Sequence, residues 1–270
     1  MTEITGLPDD APGVLVTVHA VQGSVPREEG TWMAVFADRV AGTIGGGQLE
    51  FEAIAEARVR LQAAGGAADV LPDVLRYPLG PSLGQCCGGV VRLQYEHTTA
   101  EDVRVLYQRA LAGQQPIALF GGGHVGRALV AVLGRLPYAV TWIDSRDEIF
   151  PDAVPANVRC EHSDPVQAAV RDLDPGSRVL IMSFSHAEDL DVVAACLQRL
   201  RERGDLPYVG LIGSKTKWAT FRHRLEQRGF RPEELARVTS PIGIPGIVGK
   251  EPEVIAVAVA AQLLQQQHHP

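Results

Sequence analysis

The chain has 270 residues, of which 46% are hydrophobic and 21% charged, as expected of a globular protein with one large domain or two smaller ones. Its formal net charge of −7 argues against a general nucleic-acid or anionic-membrane binder. No apolar run approaches the length of a membrane span, and residues 1–10 lack the pattern of a signal peptide. Four cysteines, two of them adjacent, do not make a disulfide framework, so we expect a reduced, cytoplasmic protein.

The first part of the chain, residues 1–97, predicts a smaller N-terminal α+β domain. We expect strands over residues 14–21, 31–36, 70–79 and 90–95, and one helix from about residue 48 to 64. A second helix, beginning near His97 with a Thr-Ala-Glu-Asp start signal at Thr99, is expected to fill the linker over residues 98–115.

The second part, residues 116–267, alternates strand and helix patterns, which predicts an α/β domain with a Rossmann-like parallel sheet and helices on both faces. We expect strands over residues 116–121, 139–143, 157–160, 178–183 and 208–212. The helices are expected over residues 124–134, 165–172, 187–203, 215–228 and 251–266.

A glycine loop opens this second domain. Gly121, Gly123 and Gly126 follow an apolar strand pattern and precede a helical one, and Asp144 ends the next strand eighteen residues after Gly126. This is the dinucleotide-binding fingerprint in its expected context. The glycines and the helix N-terminus, which includes His124, are predicted to seat a phosphate or pyrophosphate. Asp144 is predicted to accept a hydrogen bond from a ribose hydroxyl, although a tight turn without a ligand also produces the pattern.

Two further segments follow strand ends in this domain, where open α/β sheets bind their ligands. His186 follows the strand at 179–182, with Asp189 nearby, and is a candidate for ligand contact. Ser214 and Lys215 open the helix after the strand at 208–212, and together with Lys217 they predict a site for an anionic oxygen. Serine is also a preferred N-cap residue, so Ser214 is expected to cap this helix as well.

The N-terminal domain has its own glycine loop, Gly42-Thr-Ile-Gly-Gly-Gly47, directly before a helix. Gly45 and Gly46 are candidates for an anion seat of backbone N–H groups, and a plain strand-to-helix turn explains the pattern equally well. Glu50 in the first helical turn would disfavour a nearby phosphate. Arg27, in the Gly23-Ser-Val-Pro-Arg27 loop, suits anion recognition, although a solvated surface arginine is the simpler interpretation.

The segment Gln85-Cys-Cys-Gly-Gly89 is the most unusual of the chain. Adjacent cysteines do not have the spacing of zinc ligands, and a disulfide between them would be strained and redox-labile. Cys86 and Cys87 could instead coordinate a soft metal or carry sulfur. The alternative is that they have no chemical role. Cys160 and Cys196 lie in apolar patterns and are expected in the core.

Seven segments together resemble the xanthine dehydrogenase accessory protein family (XdhC/CoxI). They are Gly23-Ser-Val-Pro-Arg27, Gly42-Thr-Ile-Gly-Gly-Gly-Gln-Leu-Glu50, Gly84-Gln-Cys-Cys-Gly-Gly89, Phe120-Gly-Gly-Gly-His-Val-Gly-Arg127, Trp142-Ile-Asp-Ser-Arg146, Gly210-Leu-Ile-Gly-Ser-Lys215 and Pro241-Ile-Gly. The resemblance extends in order over nearly the whole chain. One segment departs from it: Ser183-Phe-Ser-His186 stands where members of the family tend to read Thr-His-Asp-His.

The resemblance implies a maturation factor or chaperone rather than an enzyme. It would bind molybdenum cofactor (molybdopterin or its dinucleotide), protect it during sulfuration and deliver it to xanthine dehydrogenase apoenzyme. A cysteine desulfurase is an implied partner, and a homodimer is expected because it is the commonest oligomer. Cys86 or Cys87 would approach the metal or its terminal sulfur.

Two other classes of function are compatible with the same residues. An NAD-dependent oxidoreductase would use the Rossmann-like domain and Asp144 for NAD, but it has no need of paired cysteines, and the sequence offers no obvious acid–base pair for hydride transfer. An interaction protein with a vestigial nucleotide site would bind a partner without any small ligand.

Overall fold

The computed structural model describes residues 4–63, 73–79 and 89–266. The chain forms two compact units, residues 1–110 and residues 111–270, and the boundary between them falls within the predicted linker. In the described ranges, no helix combines the length and the apolar character that crossing a membrane requires.

Unit 1 is built on a five-stranded antiparallel sheet with the order β3-β2-β1-β5-β4. Its strands are β1 (Pro12–Gln22), β2 (Trp32–Phe36), β3 (Val40–Gly42), β4 (Val74–Pro78) and β5 (Val90–Thr99), and its helices are α1 (Gly47–Ala63) and α2 (Ala100–Ala112). Alternate residues of β1, Val14, Val16 and Val18, are buried in a cluster that also contains Leu49 and Ala53 of α1. The alternation and the helical spacing thus bury one face of each element.

The sequence pattern did not predict β3, and it started the second helix too early. Strand β5 continues to Thr99, and α2 begins only at Ala100. The start is fixed by reciprocal bonds: Asp102 N–H donates to the Thr99 hydroxyl at 3.2 Å, and Thr99 N–H donates to the Asp102 carboxylate at 3.0 Å. The predicted start signal at Thr99 was therefore correct, and the residues before it belong to the sheet.

Unit 2 contains a six-stranded sheet with the order β11-β10-β9-β6-β7-β8, in which every neighbouring pair is parallel. Its strands are β6 (Gln115–Phe120), β7 (Tyr138–Asp144), β8 (Val158–His162), β9 (Arg178–Ile181), β10 (Tyr208–Leu211) and β11 (Val238–Thr239). Its helices are α3 (His124–Leu133), α4 (His186–Glu202), α5 (Lys215–Gln227), α6 (Pro232–Leu235) and α7 (Pro252–Gln265). The predicted Rossmann-like sheet is confirmed.

Apolar clusters on both faces of this sheet bury its strands. One cluster joins β9 and β10 to α4 and α5 through residues such as Val193 and Phe221. The other joins β6 and β7 to α3 and α7 through residues such as Leu129, Trp142 and Val259. Strands covered on two faces read as continuous apolar runs, which is why they could be located from the sequence.

Several short elements differ from the prediction, among them β11 and α6, which the sequence pattern did not predict. Residues Val166–Asp172 form a 3₁₀ helix instead of an α-helix, and a second 3₁₀ turn, Asp147–Ile149, was not predicted. Both are too short for a helical period to be read reliably from the sequence. The strand order reverses at β6, because the chain adds β7 and β8 on one side of β6 and then β9, β10 and β11 on its other side, so the ends of β6 and β9 form the switch point at which such sheets bind ligands.

Candidate functional site

The glycine loop between β6 and α3 is packed so tightly that two of its positions accept only glycine. A Cβ atom on Gly121 would lie 2.0 Å from the carbonyl oxygen of Met182, and Gly121 also has a φ of +120°. A Cβ atom on Gly126 would lie 2.0 Å from the carbonyl oxygen of Gly121. These two glycines therefore let β6, α3 and the end of β9 come together at the switch point.

Gly123 differs from its two neighbours in the motif. A Cβ atom there would meet no atom within 4 Å, and Gly123 is the N-terminal cap of α3 without a side-chain cap bond or an acidic residue in the first turn. By contrast, Ser185 caps α4 and Ser214 caps α5 with their own hydroxyls. The start of α3 thus leaves its backbone N–H groups and positive dipole end for an anion.

A cleft of about 350 Å³ opens at this helix start. Its lining includes Gly123, His124 and Gly126 from the glycine loop and Ser183 and His186 from the end of β9. The two histidines are each the first residue of a helix, at the ends of adjacent strands, and both are exposed. The tertiary structure therefore brings Gly123, His124, Gly126 and His186 into one site, while Gly121 is buried and does not line the cleft.

Asp144 lies beside the loop with its side chain 1% exposed. It accepts hydrogen bonds from Gly122 N–H at 2.6 Å and from the N–H, Nε and Nη2 groups of Arg146 at 2.9 Å each. Burial raises the pKa of this carboxyl, but the bonds from Arg146 and Gly122 outweigh burial and hold the pKa below its ordinary value. Both oxygens thus act within the chain, fixing the loop and Arg146, a role that the sequence pattern did not predict.

A buried ion pair forms the opposite wall of the cleft. Lys217 Nζ donates to Asp189 Oδ2 at 2.6 Å and to the carbonyl oxygen of Ile212 at 2.9 Å. Asp189 Oδ1 accepts from the backbone N–H of Ser183 at 2.7 Å, and the two side chains of the pair are 11% and 3% exposed. Lysine has three N–H donors, so one remains for a ligand in the cleft.

Lys217, not Lys215, is the lysine of the cleft. Lys215 is exposed at the start of α5, whereas Lys217 lines the cavity. The side chain of Lys217 folds back over Gly213, where a Cβ atom would lie 2.5 Å from Lys217 Cδ. Ser214 caps α5 through a 3.1 Å bond from Lys217 N–H. In the sequence, the feature that points to Lys217 is Gly213, four residues before it, because a glycine there leaves space for the lysine side chain.

The glycine loop of unit 1 is occupied by its own helix. Glu50 Oε2 accepts hydrogen bonds from the backbone N–H groups of Ile44 at 3.0 Å and Gly46 at 3.1 Å. A carboxylate of the chain thus fills the seat that Gly45 and Gly46 were predicted to offer an external anion. Arg27 is exposed, and a Cβ atom on Gly45 would lie 3.2 Å from Arg27 Cγ.

The Gly23–Arg27 loop also lies against the end of the cysteine segment. A Cβ atom on Gly89 would lie 2.4 Å from the carbonyl oxygen of Ser24. Gly89, the last residue of the segment at 84–89, therefore lies near the 23–27 loop, as does Gly45 of the segment at 42–50.

Cys86 and Cys87 lie outside the residues that the structure describes. The other two cysteines are free thiols: Cys196 is fully buried, and Cys160 is partly buried and packs against the core. Burial raises the pKa of Cys160 and raises the pKa of Cys196 to about 12, which disfavours the thiolate form at both positions. Within residues 4–63, 73–79 and 89–266, no three His, Cys, Asp or Glu side chains are grouped as metal ligands.

Comparison with known proteins gives the chain a family. Residues 117–263 match the XdhC Rossmann domain family, and residues 7–78 match the XdhC and CoxI family. The uncharacterized protein YqeB of Escherichia coli (strain K12) is 25% identical over 264 residues, which is 96% of this chain and 44% of YqeB. The chain thus spans less than half the length of that relative.

Among solved structures, the chain is similar to the crystal structure of a xanthine dehydrogenase from Bacillus halodurans, with a TM-score of 0.75 at 20% identity. The alignment covers 99% of this chain and 95% of the other. At this identity the similarity shows a shared fold. Because the first of the two family matches covers more than half of the chain, the protein belongs to the XdhC family.

Proposed function

We propose that the chain is an accessory protein that binds molybdenum cofactor, protects it during sulfuration and delivers it to xanthine dehydrogenase. Membership of the XdhC family supports the accessory role. The observation that carries the binding role is the uncapped start of α3, where Gly123 leaves the backbone open to the cleft. A phosphate ester is the chemical group that such a helix start recognises best.

The cleft residues fit a ligand with a phosphate at one end and a polar ring at the other. The N–H groups at the start of α3 would hold the phosphate. Ser183 Oγ is a buried hydroxyl with no hydrogen-bond partner in the described part of the chain, and it lines the cleft together with Lys217. These two groups would hold the polar edge of the ring, since buried polar groups ordinarily have partners.

When bound, the cofactor would supply the metal and sulfur chemistry that the recipient enzyme needs. The residues of this chain would bind, orient and shield it from water. Cys86 or Cys87 would supply a thiolate near the metal or sulfur, as the family resemblance implies. A cysteine desulfurase, xanthine dehydrogenase apoenzyme and a second copy of the chain are the proposed partners.

The test is the molybdenum and pterin content of the protein. The full chain would be purified anaerobically from a host that makes the cofactor, as wild type, as Gly123→Ala and as Cys86→Ala/Cys87→Ala. We expect about one cofactor per protomer in wild type and a loss in both variants. Cys160→Ala is the matched thiol control and should retain the cofactor.

The outcomes separate the parts of this proposal. Retention in Cys86→Ala/Cys87→Ala would keep the carrier and remove the thiol contact. Retention in Gly123→Ala would remove the glycine loop as the phosphate seat. Absence of molybdenum and pterin from every sample, with NAD(H) bound instead, would replace the carrier with an NAD-dependent oxidoreductase.

A further inference from the structure

In unit 2, the cleft lies on one side of the switch point, at the ends of β9 and β10, and does not extend to the other side, at the end of β7. The open cleft takes its lining from the glycine loop and from the ends of β9 and β10, and none of its lining residues comes from the end of β7. In a parallel sheet of this topology, the acidic residue at the end of the second strand marks the side on which a nucleoside binds. Here that strand is β7, and the acidic residue is Asp144.

Contacts between the end of β7 and the loop after β9 close this side. Ser145 Oγ donates to Glu188 Oε1 at 2.8 Å, and the other oxygen of Glu188 accepts from Phe184 N–H at 3.1 Å. The guanidinium of Arg146 lies 4.3 Å from the centre of the Phe184 ring. These contacts join the two loops at two points, one polar and one between a cation and an aromatic ring.

The residues that make these contacts are held in place by bonds to neighbouring groups. Arg146 cannot swing away freely, because Asp144 holds its Nε and Nη2 atoms, each at 2.9 Å. The backbone of Glu188 is fixed as well, since its N–H donates to Ser185 Oγ at 3.2 Å. A nucleoside that entered on this side would have to break both contacts and displace an arginine whose partner is a buried carboxylate.

We infer that Ser145, Arg146, Phe184 and Glu188 form a bridge that closes the nucleoside side of the switch point. The bridge makes the site selective for phosphate esters with a single ring system and excludes ligands that carry an additional nucleoside. The inference refines the proposed function, on which it rests, by naming the form of ligand that the cleft admits. The ligand then lies only on the β9–β10 side.

The test uses ADP-ribose, which carries a nucleoside, and inorganic pyrophosphate, which does not. Both are titrated calorimetrically into the full chain as wild type, as Phe184→Ala and as Ser145→Ala/Phe184→Ala. We expect ADP-ribose to bind about tenfold more tightly to the double variant than to wild type when each affinity is expressed relative to pyrophosphate. Phe184→Ala alone should give a smaller gain of the same sign.

Phe51→Ala is the matched control, because Phe51 is 69% exposed on α1 and Phe184 is 65% exposed; it should give no gain. A gain in the double variant supports the bridge even if the protein carries no molybdenum, so the two proposals fail separately. An unchanged or weakened affinity of both Phe184 variants for ADP-ribose would overturn it. A weakened affinity would show that Phe184 is a stacking platform for a base.

Discussion

The two glycine loops of this protein have nearly the same local sequence pattern and opposite environments. Each follows a strand and opens a helix. At 42–47, Glu50 in the first turn of α1 turns back and accepts the N–H groups of Ile44 and Gly46. At 121–126, the first turn of α3 contains no acidic residue, and Gly123 faces open space. A glycine-rich turn therefore specifies a backbone shape, and the first helical turn decides whether that shape is available to a ligand.

The strongest test of this comparison is the difference between glycines within one loop. Gly126→Ala should destabilise unit 2 by at least ~3 kcal/mol, because its Cβ atom would overlap a backbone oxygen at 2.0 Å. Gly123→Ala should change the free energy of unfolding by less than ~0.5 kcal/mol, since its φ of −68° suits alanine. Urea denaturation of both variants measures the difference, and equal midpoints would contradict the tight packing.

The buried ion pair gives the next largest effect. Lys217→Met should cost about 2–3 kcal/mol of unfolding free energy, because the Asp189 carboxylate would remain buried without its cationic partner. Lys215→Met, two residues away and exposed, is the matched control and should cost less than ~0.5 kcal/mol. Thermal and urea unfolding would compare the two variants. A larger loss of stability in Lys215→Met than in Lys217→Met would show that the structural role belongs to Lys215.

The loop of unit 1 can be altered directly to break the comparison. Glu50→Gln should cost about 1 kcal/mol, because the two N–H groups would keep a neutral acceptor in place of a charged one. It should also allow phosphate to bind weakly in a Gly123→Ala background, where the loop of unit 2 is blocked. Phosphate titration measures this gain, and Glu101→Gln, in the first turn of α2, is the control. Absence of any phosphate binding would mean that the charge of Glu50 is not by itself what keeps phosphate out of the loop at 42–47.

The smallest expected effect concerns pH. The pKa of Asp144 is lowered in the folded protein, so its contribution to stability is fully present above the ordinary aspartate value of about 3.9. That contribution is lost as the pH falls through the lower folded value. The difference in unfolding free energy between wild type and Asp144→Asn should therefore be constant from pH 7 to 5 and shrink toward pH 3. A difference that grows on acidification would have the wrong sign for a carboxylate held by Arg146.

Much of unit 2 could be predicted because its signals are local. Buried parallel strands read as apolar runs, and glycines at 121, 123 and 126 follow the first of them, so the sheet, the loop and the position of Asp144 were all placed correctly along the chain. Short elements were missed, such as β11 and the 3₁₀ turn at 147–149, because two or three residues carry no readable period. The 3₁₀ form of residues 166–172 was missed for a related reason, since its apolar spacing also fits an α-helix.

The partners of the charged residues could not be predicted from the pattern. Asp144 was predicted to accept from a ribose hydroxyl, and the pattern did not show that its oxygens also accept from Gly122 and Arg146. Lys215 and Lys217 were predicted together, although only Lys217 reaches a buried carboxylate 28 residues away in sequence. The bond from Gly122 to Asp144 and the bond from Lys217 to Asp189 each depend on where two segments of the chain meet in space.

The sequence by itself determined the fold class, the order of the main elements and the family, because periodicity, glycine spacing and motif order are properties of the chain alone. The tertiary structure decided which anion seat is open, which lysine lines the cleft and which side of the switch point is bridged. The physical reason is that hydrogen-bond donors and acceptors are satisfied by whatever the fold brings within about 3 Å. Residues distant in the sequence compete for those positions, and only the folded chain determines which of them is bonded.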